Sequence, residues 1–112
     1  MQRKTIAIVS SLAALAAGPA FAADPKIVTY FQETCGVCHG EKGEGMKGLA
    51  PPLKGNDFVA KGADADIAAT ITKGRAGDQK KYKDFASPMP AQSMSDARLS
   101  GLIAYLKNEL QK

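Results

Sequence analysis

The sequence predicts an all-α protein, on three observations. Apolar residues recur three and four positions apart in several separate stretches, the spacing that lines one face of a helix. Residues that favour helix ends stand directly beside those stretches. No stretch alternates apolar and polar residues convincingly at period two, as a half-buried strand would. About three to five helices joined by long loops account for the chain, with no internal repeat.

The first 22 residues stand apart from this pattern. Arg3 and Lys4 form a basic start, Ile6 to Ala17 is almost uncharged and apolar, and the run closes on Gly18-Pro19 and Ala20-Phe21-Ala22. A basic start, a short apolar run and a small-x-small site read as a secretory signal peptide cut after Ala22. The alternative, an uncleaved anchor, needs a longer apolar stretch to span a bilayer. Residues 23–112 then form a single 90-residue domain in the periplasm, with no integral membrane anchor.

Asp24-Pro25 starts the first helix, with Asp as the capping acceptor and Pro where its missing N–H is harmless. Ile27, Val28 and Phe31 follow at helical spacing, and the pattern runs into Cys35-Gly36-Val37-Cys38-His39. Gly40 to Gly55 reads as loop, rich in glycine and holding Pro51-Pro52. Asp57 to Lys61 fits one short helical turn. Asp64 to Lys73 fits a helix, with Ile67 and Ile71 four apart and Gly74 as its stop. Arg75 to Ala91 should be an extended loop carrying charge and the prolines on either side of Met89. Ser95 caps a final helix with Leu99, Leu102, Ile103 and Leu106 on one face and Tyr105 nearby.

Size and charge narrow the function. Ninety residues without Trp can build only a small core, so a buried covalent group would act as a staple. Removing Arg3 and Lys4 leaves thirteen basic against eleven acidic residues, a net charge of +2. That is too mild for a nucleic-acid partner. Lys42, Lys47, Lys54, Lys73, Lys80, Lys81 and Lys83 are candidates for a patch facing an acidic partner, or simply a solvated surface.

Cys35-x-x-Cys38-His39 is the spacing of c-type haem attachment. Residues three apart share a helix face, so both sulfurs can reach the two vinyl groups on one porphyrin edge. The adjacent imidazole then falls beneath the iron. Three other readings of the motif compete. An exported disulfide is one. A thioredoxin-like redox pair needs a βαβ setting, absent here. A zinc site lacks a second His or third Cys to close its tetrahedron.

Residues 23–112 resemble the class I cytochrome c family over essentially their whole length. Phe31 stands four residues before Cys35, where an aromatic is usual. Gly40-Glu41-Lys42-Gly43-Glu44-Gly45 is similar to the glycine loop of many bacterial members, and Leu102-Ile103-Ala104-Tyr105-Leu106-Lys107 to their last helix. Pro51-Pro52-Leu53-Lys54-Gly55-Asn56-Asp57 is similar to haem domains that accompany periplasmic dehydrogenases. The resemblance implies one covalently bound haem c and the cytochrome c fold around it. It implies that Pro51, twelve residues after His39, accepts a hydrogen bond from the imidazole and that Leu53 packs on the haem. It implies Met89, in Ser87-Pro88-Met89-Pro90, as the second axial ligand opposite His39, the prolines stiffening its loop. Met94 is then a packing residue beside the Ser95 cap, and Met46 a surface or haem-edge one. One departure concerns Ile27, eight residues before Cys35, where many members carry a small residue. The crossing of the two terminal helices must be wider here, or its register different.

The function this implies is one-electron transfer between a redox donor and acceptor, a periplasmic dehydrogenase or terminal oxidase among the candidates. A haem subunit or docking module of a larger dehydrogenase or oxidase complex is the alternative. An open-site haem enzyme or sensor is a third reading, disfavoured because His39 is the only histidine.

Overall fold

The computed structural model describes residues 23–85 and 87–112; the predicted signal peptide lies outside them. The first helix, α1 (Pro25–Tyr30), starts where Asp24 accepts a hydrogen bond from the Lys26 amide at 2.9 Å. A π-helical turn, Phe31–Cys35, continues it without a break into α2 (Gly36–His39). The Gly36 amide reaches back five residues to the Phe31 carbonyl. The wider turn has a geometric effect. Four residues of ordinary α-helix overshoot a full turn by roughly 40°; a π turn advances less over the same four residues, and Cys35 packs against the core cluster that holds Ile27 and Phe31.

Three further helices follow: α3 (Asp57–Lys61), α4 (Asp64–Lys73) and α5 (Asp96–Lys107). Asn56 caps α3 through the Phe58 amide at 3.0 Å, and Ser95 caps α5 through the Arg98 amide at 3.2 Å. Helix α4 stops at Gly74, whose φ of 67° is a left-handed conformation that glycine adopts without strain. These bounds agree with those predicted from spacing and caps. The predicted loop after α4 holds a short 3₁₀ turn, Gly77–Gln79, and a second 3₁₀ turn, Glu109–Gln111, ends the chain. No strand is present among the described residues, only the isolated bridges Met46–Ala50 and Arg75–Met89.

The core sits where α1 and the π turn cross α5. Ile27 and Phe31 meet Leu102, Ile103 and Leu106, with Val59, Ile67, Ile71 and Leu110 closing the cluster. Phe31 is fully buried and lies edge-on to Tyr105, ring centroids 5.3 Å apart. The Ile27 departure is accommodated by the facing helix: a Cβ placed on Gly101 would lie 3.2 Å from Ile27 Cδ1. The bulk is on α1 and the gap is on α5.

Gly101→Leu should therefore overpack the crossing and lower unfolding free energy by about 1–3 kcal/mol. Ile27→Ala in the same chain should recover part of that loss, giving a non-additive double-mutant cycle in denaturant unfolding. Strict additivity would mean that the two residues do not share the space.

Candidate cofactor site

Between the π turn and α2 on one side and the loop of residues 75–91 on the other lies a predominantly apolar cavity. It holds about 1260 Å³ of empty space, its open mouth included. Cys35, Cys38, His39, Pro51, Leu53 and Met89, the six site residues predicted from sequence, all line it.

The two cysteines come from consecutive helical segments and are free thiols. Burial, and then the neighbouring Cys38, push the Cys35 thiol up to about 11. At neutral pH it carries its proton. Among the described residues no three of His, Cys, Asp or Glu gather into a metal-holding cluster.

His39 is fixed by one bond. Its Nδ1 lies 2.8 Å from the Pro51 carbonyl oxygen, and a carbonyl can only accept, so Nδ1 carries the hydrogen. The Nε2 lone pair is left free for a metal. Burial lowers the imidazole below its ordinary pKa, while the Pro51 bond pulls the other way.

Pro51 is itself held in place. A Cβ on Gly45 would stand 2.7 Å from the Pro52 nitrogen and 3.0 Å from the Pro51 carbonyl carbon, so only glycine admits this approach. The Leu53 amide donates to the Gly43 carbonyl at 2.8 Å, and the Met46 amide to Ala50 at 3.0 Å. Gln111 closes the loop from outside, donating to the Leu53 carbonyl at 3.0 Å and accepting from the Gly55 amide at 2.8 Å.

Met89 is half-buried, and its backbone pairs with Arg75 in both directions, at 2.9 and 2.8 Å. Gly74 makes this possible, since a Cβ there would collide with the Met89 carbonyl. Met94 packs against the hydrophobic core and Met46 is exposed; neither lines the cavity. Of the predicted lysine patch, Lys80 and Lys81 line the cavity, whereas Lys42, Lys47, Lys54, Lys73 and Lys83 do not. Sequence reading missed Gln111, Phe58 and Arg75 as site residues. Each is brought there by tertiary packing, and none carries a local motif.

Two thiols, an imidazole nitrogen and a thioether around one large apolar cavity fit the donor set that a covalent haem requires. The comparisons with known proteins point the same way. The family model described as Cytochrome c matches residues 26–109. The chain is similar to the cbb3-type cytochrome c oxidase subunit CcoP of Azospirillum brasilense, 34% identical over 92 residues. That match takes in 78% of this chain and 28% of that subunit. It is also similar to the CcoP subunit of Azospirillum sp. (strain B510), 32% identical over 86 residues, 71% of this chain and 26% of that one. The chain thus spans only 26–28% of the length of these curated relatives.

Gly74→Ala should cost about 1–3 kcal/mol from its backbone conformation alone and should break the Arg75–Met89 pair. The Met89 amide should then exchange faster with deuterium. Gly48→Ala, at a positive φ but with open space around the added carbon, should leave that amide protected. Equal protection of Met89 in both variants would show that Gly74 does not seat its loop.

Proposed function

The chain belongs to the cytochrome c family, and on that premise we propose that it is a periplasmic one-electron carrier with His/Met-ligated iron. Covalent haem c and haem-based electron transfer come with the family. In this reading Cys35 and Cys38 would tether the haem through thioethers, while His39 Nε2 and Met89 Sδ would be the ligands that hold its iron. The bound group supplies the redox chemistry, cycling between Fe(II) and Fe(III).

One observation carries the reading: all four residues line a single apolar cavity, with His39 hydrogen-bonded so that its Nε2 lone pair is unengaged. The chain's own residues have separate tasks. Pro51 orients the imidazole and raises its basicity as a ligand. Leu53, Val59, Ile67 and Leu102 on the cavity wall keep water from the iron, so little rearrangement accompanies an electron. A thioether favours Fe(II) more than a second nitrogen would, and so raises the potential. Export to the periplasm rests on the predicted signal peptide. No described helix is long and apolar enough to cross a membrane.

A second reading has its own support, because both relatives are oxidase subunits. Here the chain is a haem c module of a larger terminal oxidase complex, with the same site and a persistent partner. Purification from the native source separates the two. A free monomer fits the shuttle, and stable co-migration with oxidase subunits fits the module.

Two measurements test the site. Intact mass of the matured protein should show one haem adduct on a chain beginning at Ala23; a haem-free chain with a Cys35–Cys38 disulfide would defeat the proposal. Met89→Leu should abolish the weak long-wavelength sulfur-to-iron band of the ferric protein, lower the reduction potential and speed cyanide binding. Met46→Leu and Met94→Leu should keep the band. Loss of the band in Met94→Leu but not in Met89→Leu would reverse the ligand assignment.

A further inference from the structure

The side-chain amide of Gln111, in the 3₁₀ turn Glu109–Gln111, has both of its N–H groups and its oxygen engaged. Nε2 donates to the Leu106 carbonyl at 2.9 Å and to the Leu53 carbonyl at 3.0 Å, while Oε1 accepts from the Gly55 amide at 2.8 Å. Leu106 stands in the last turn of α5, where a helix leaves its carbonyls open, and its side chain is buried in the core. One amide thus ties the segment of residues 53–55 to the packed end of α5.

The Leu53 backbone is gripped at both of its polar groups. Its carbonyl accepts from Gln111, and its amide donates to the Gly43 carbonyl at 2.8 Å. Leu110, buried beside Gln111, backs Gly43 from the other side: a Cβ placed on Gly43 would lie 2.9 Å from Leu110 Cδ2. Between the Leu53 amide plane and the Pro51 carbonyl plane the chain has two torsions, φ and ψ of Pro52, and the proline ring fixes the first. A single soft torsion therefore separates the gripped segment from the oxygen that lies 2.8 Å from His39 Nδ1. A brace on Leu53 is a brace on that oxygen.

We propose that Gln111 is a positioning residue for His39: by clamping Leu53 to α5 it holds the Pro51 carbonyl where its hydrogen bond to the imidazole is strong. The inference rests on the haem reading above but not on which methionine binds iron. Gln111 does not line the cavity, so its effect is carried by the backbone alone. A stronger bond at Nδ1 makes Nε2 a better electron donor, which favours Fe(III). Slackening the clamp therefore raises the reduction potential. General loosening of the fold has the opposite sign, because water admitted to the cavity favours the more highly charged Fe(III).

The test uses the matured holoprotein, reduced so that its iron is diamagnetic, and follows the His39 Nδ1–H by NMR. Gln111→Met keeps the length of the side chain and removes its amide. The proton signal should move upfield, its exchange with deuterium should quicken by roughly fivefold, the net worth of about one hydrogen bond, and the potential should rise. Leu110→Val, which trims the packing over Gly43, should move all three the same way by less. Ile27→Ala, at the crossing of α1 and α5, should lower stability and leave the Nδ1 signal in place. An unmoved signal in Gln111→Met would make Gln111 a brace of the fold only, and an equal shift in Ile27→Ala would trace the effect to general loosening; either overturns the proposal. A fall in potential in Gln111→Met overturns it as well. A haem-free mass would remove this proposal and the cofactor reading together, whereas bound haem with an unmoved signal removes this one alone.

Discussion

An imidazole has two nitrogens, and only the one without a hydrogen can bind a metal. In this chain that choice is made by the Pro51 carbonyl, 2.8 Å from His39 Nδ1. Much of the loop between the Cys-x-x-Cys-His motif and α3 serves to keep that oxygen where it is. Gly45 lets the backbone come close, Gly43 ties down Leu53, and Gln111 binds the same segment from the far end of the chain. A single acceptor is thus supported by contacts from three parts of the sequence. Loosening any of them acts on the imidazole without touching it.

The hydrophobic core and the cofactor cavity are largely one structure. Val59, Ile67, Ile71, Leu102 and Leu106 belong both to the packed cluster and to the cavity wall. A domain of this size buries a modest share of its surface on folding, and here much of its interior faces the place of a ligand. Filling that place completes the packing. A haem bound there, as proposed, would be part of what holds α3, α4 and α5 in position, as well as the redox centre.

Local chemistry made most of the fold legible in the sequence. Asp24, Asn56 and Ser95 cap helices because their side chains satisfy amides that the helix leaves open. Gly74 ends one for the complementary reason at the other end. His39 and the cysteines were readable as cavity residues because the chemistry proposed for them needs a fixed spacing within five residues. Met89 and Pro51 were singled out through resemblance to a family; the prolines beside Met89 and the Ser95 cap beside Met94 set the two methionines apart locally but do not by themselves bring either to the cavity. Arg75, Gln111 and the π turn were not readable at all. The first two reach the site through tertiary contacts, and the third depends on a hydrogen bond shifted by one residue, which composition does not encode.

The meeting of Ile27 with Gly101 bears on how such chains are compared. Side-chain volume at that crossing is a property of the pair, and it can be moved from one helix to the other without changing the total. A profile that scores each position separately marks Ile27 as a misfit and Gly101 as a weak helix residue. Taken together the two are a matched lock and notch, and drift along this lineage should be sought in their joint substitution.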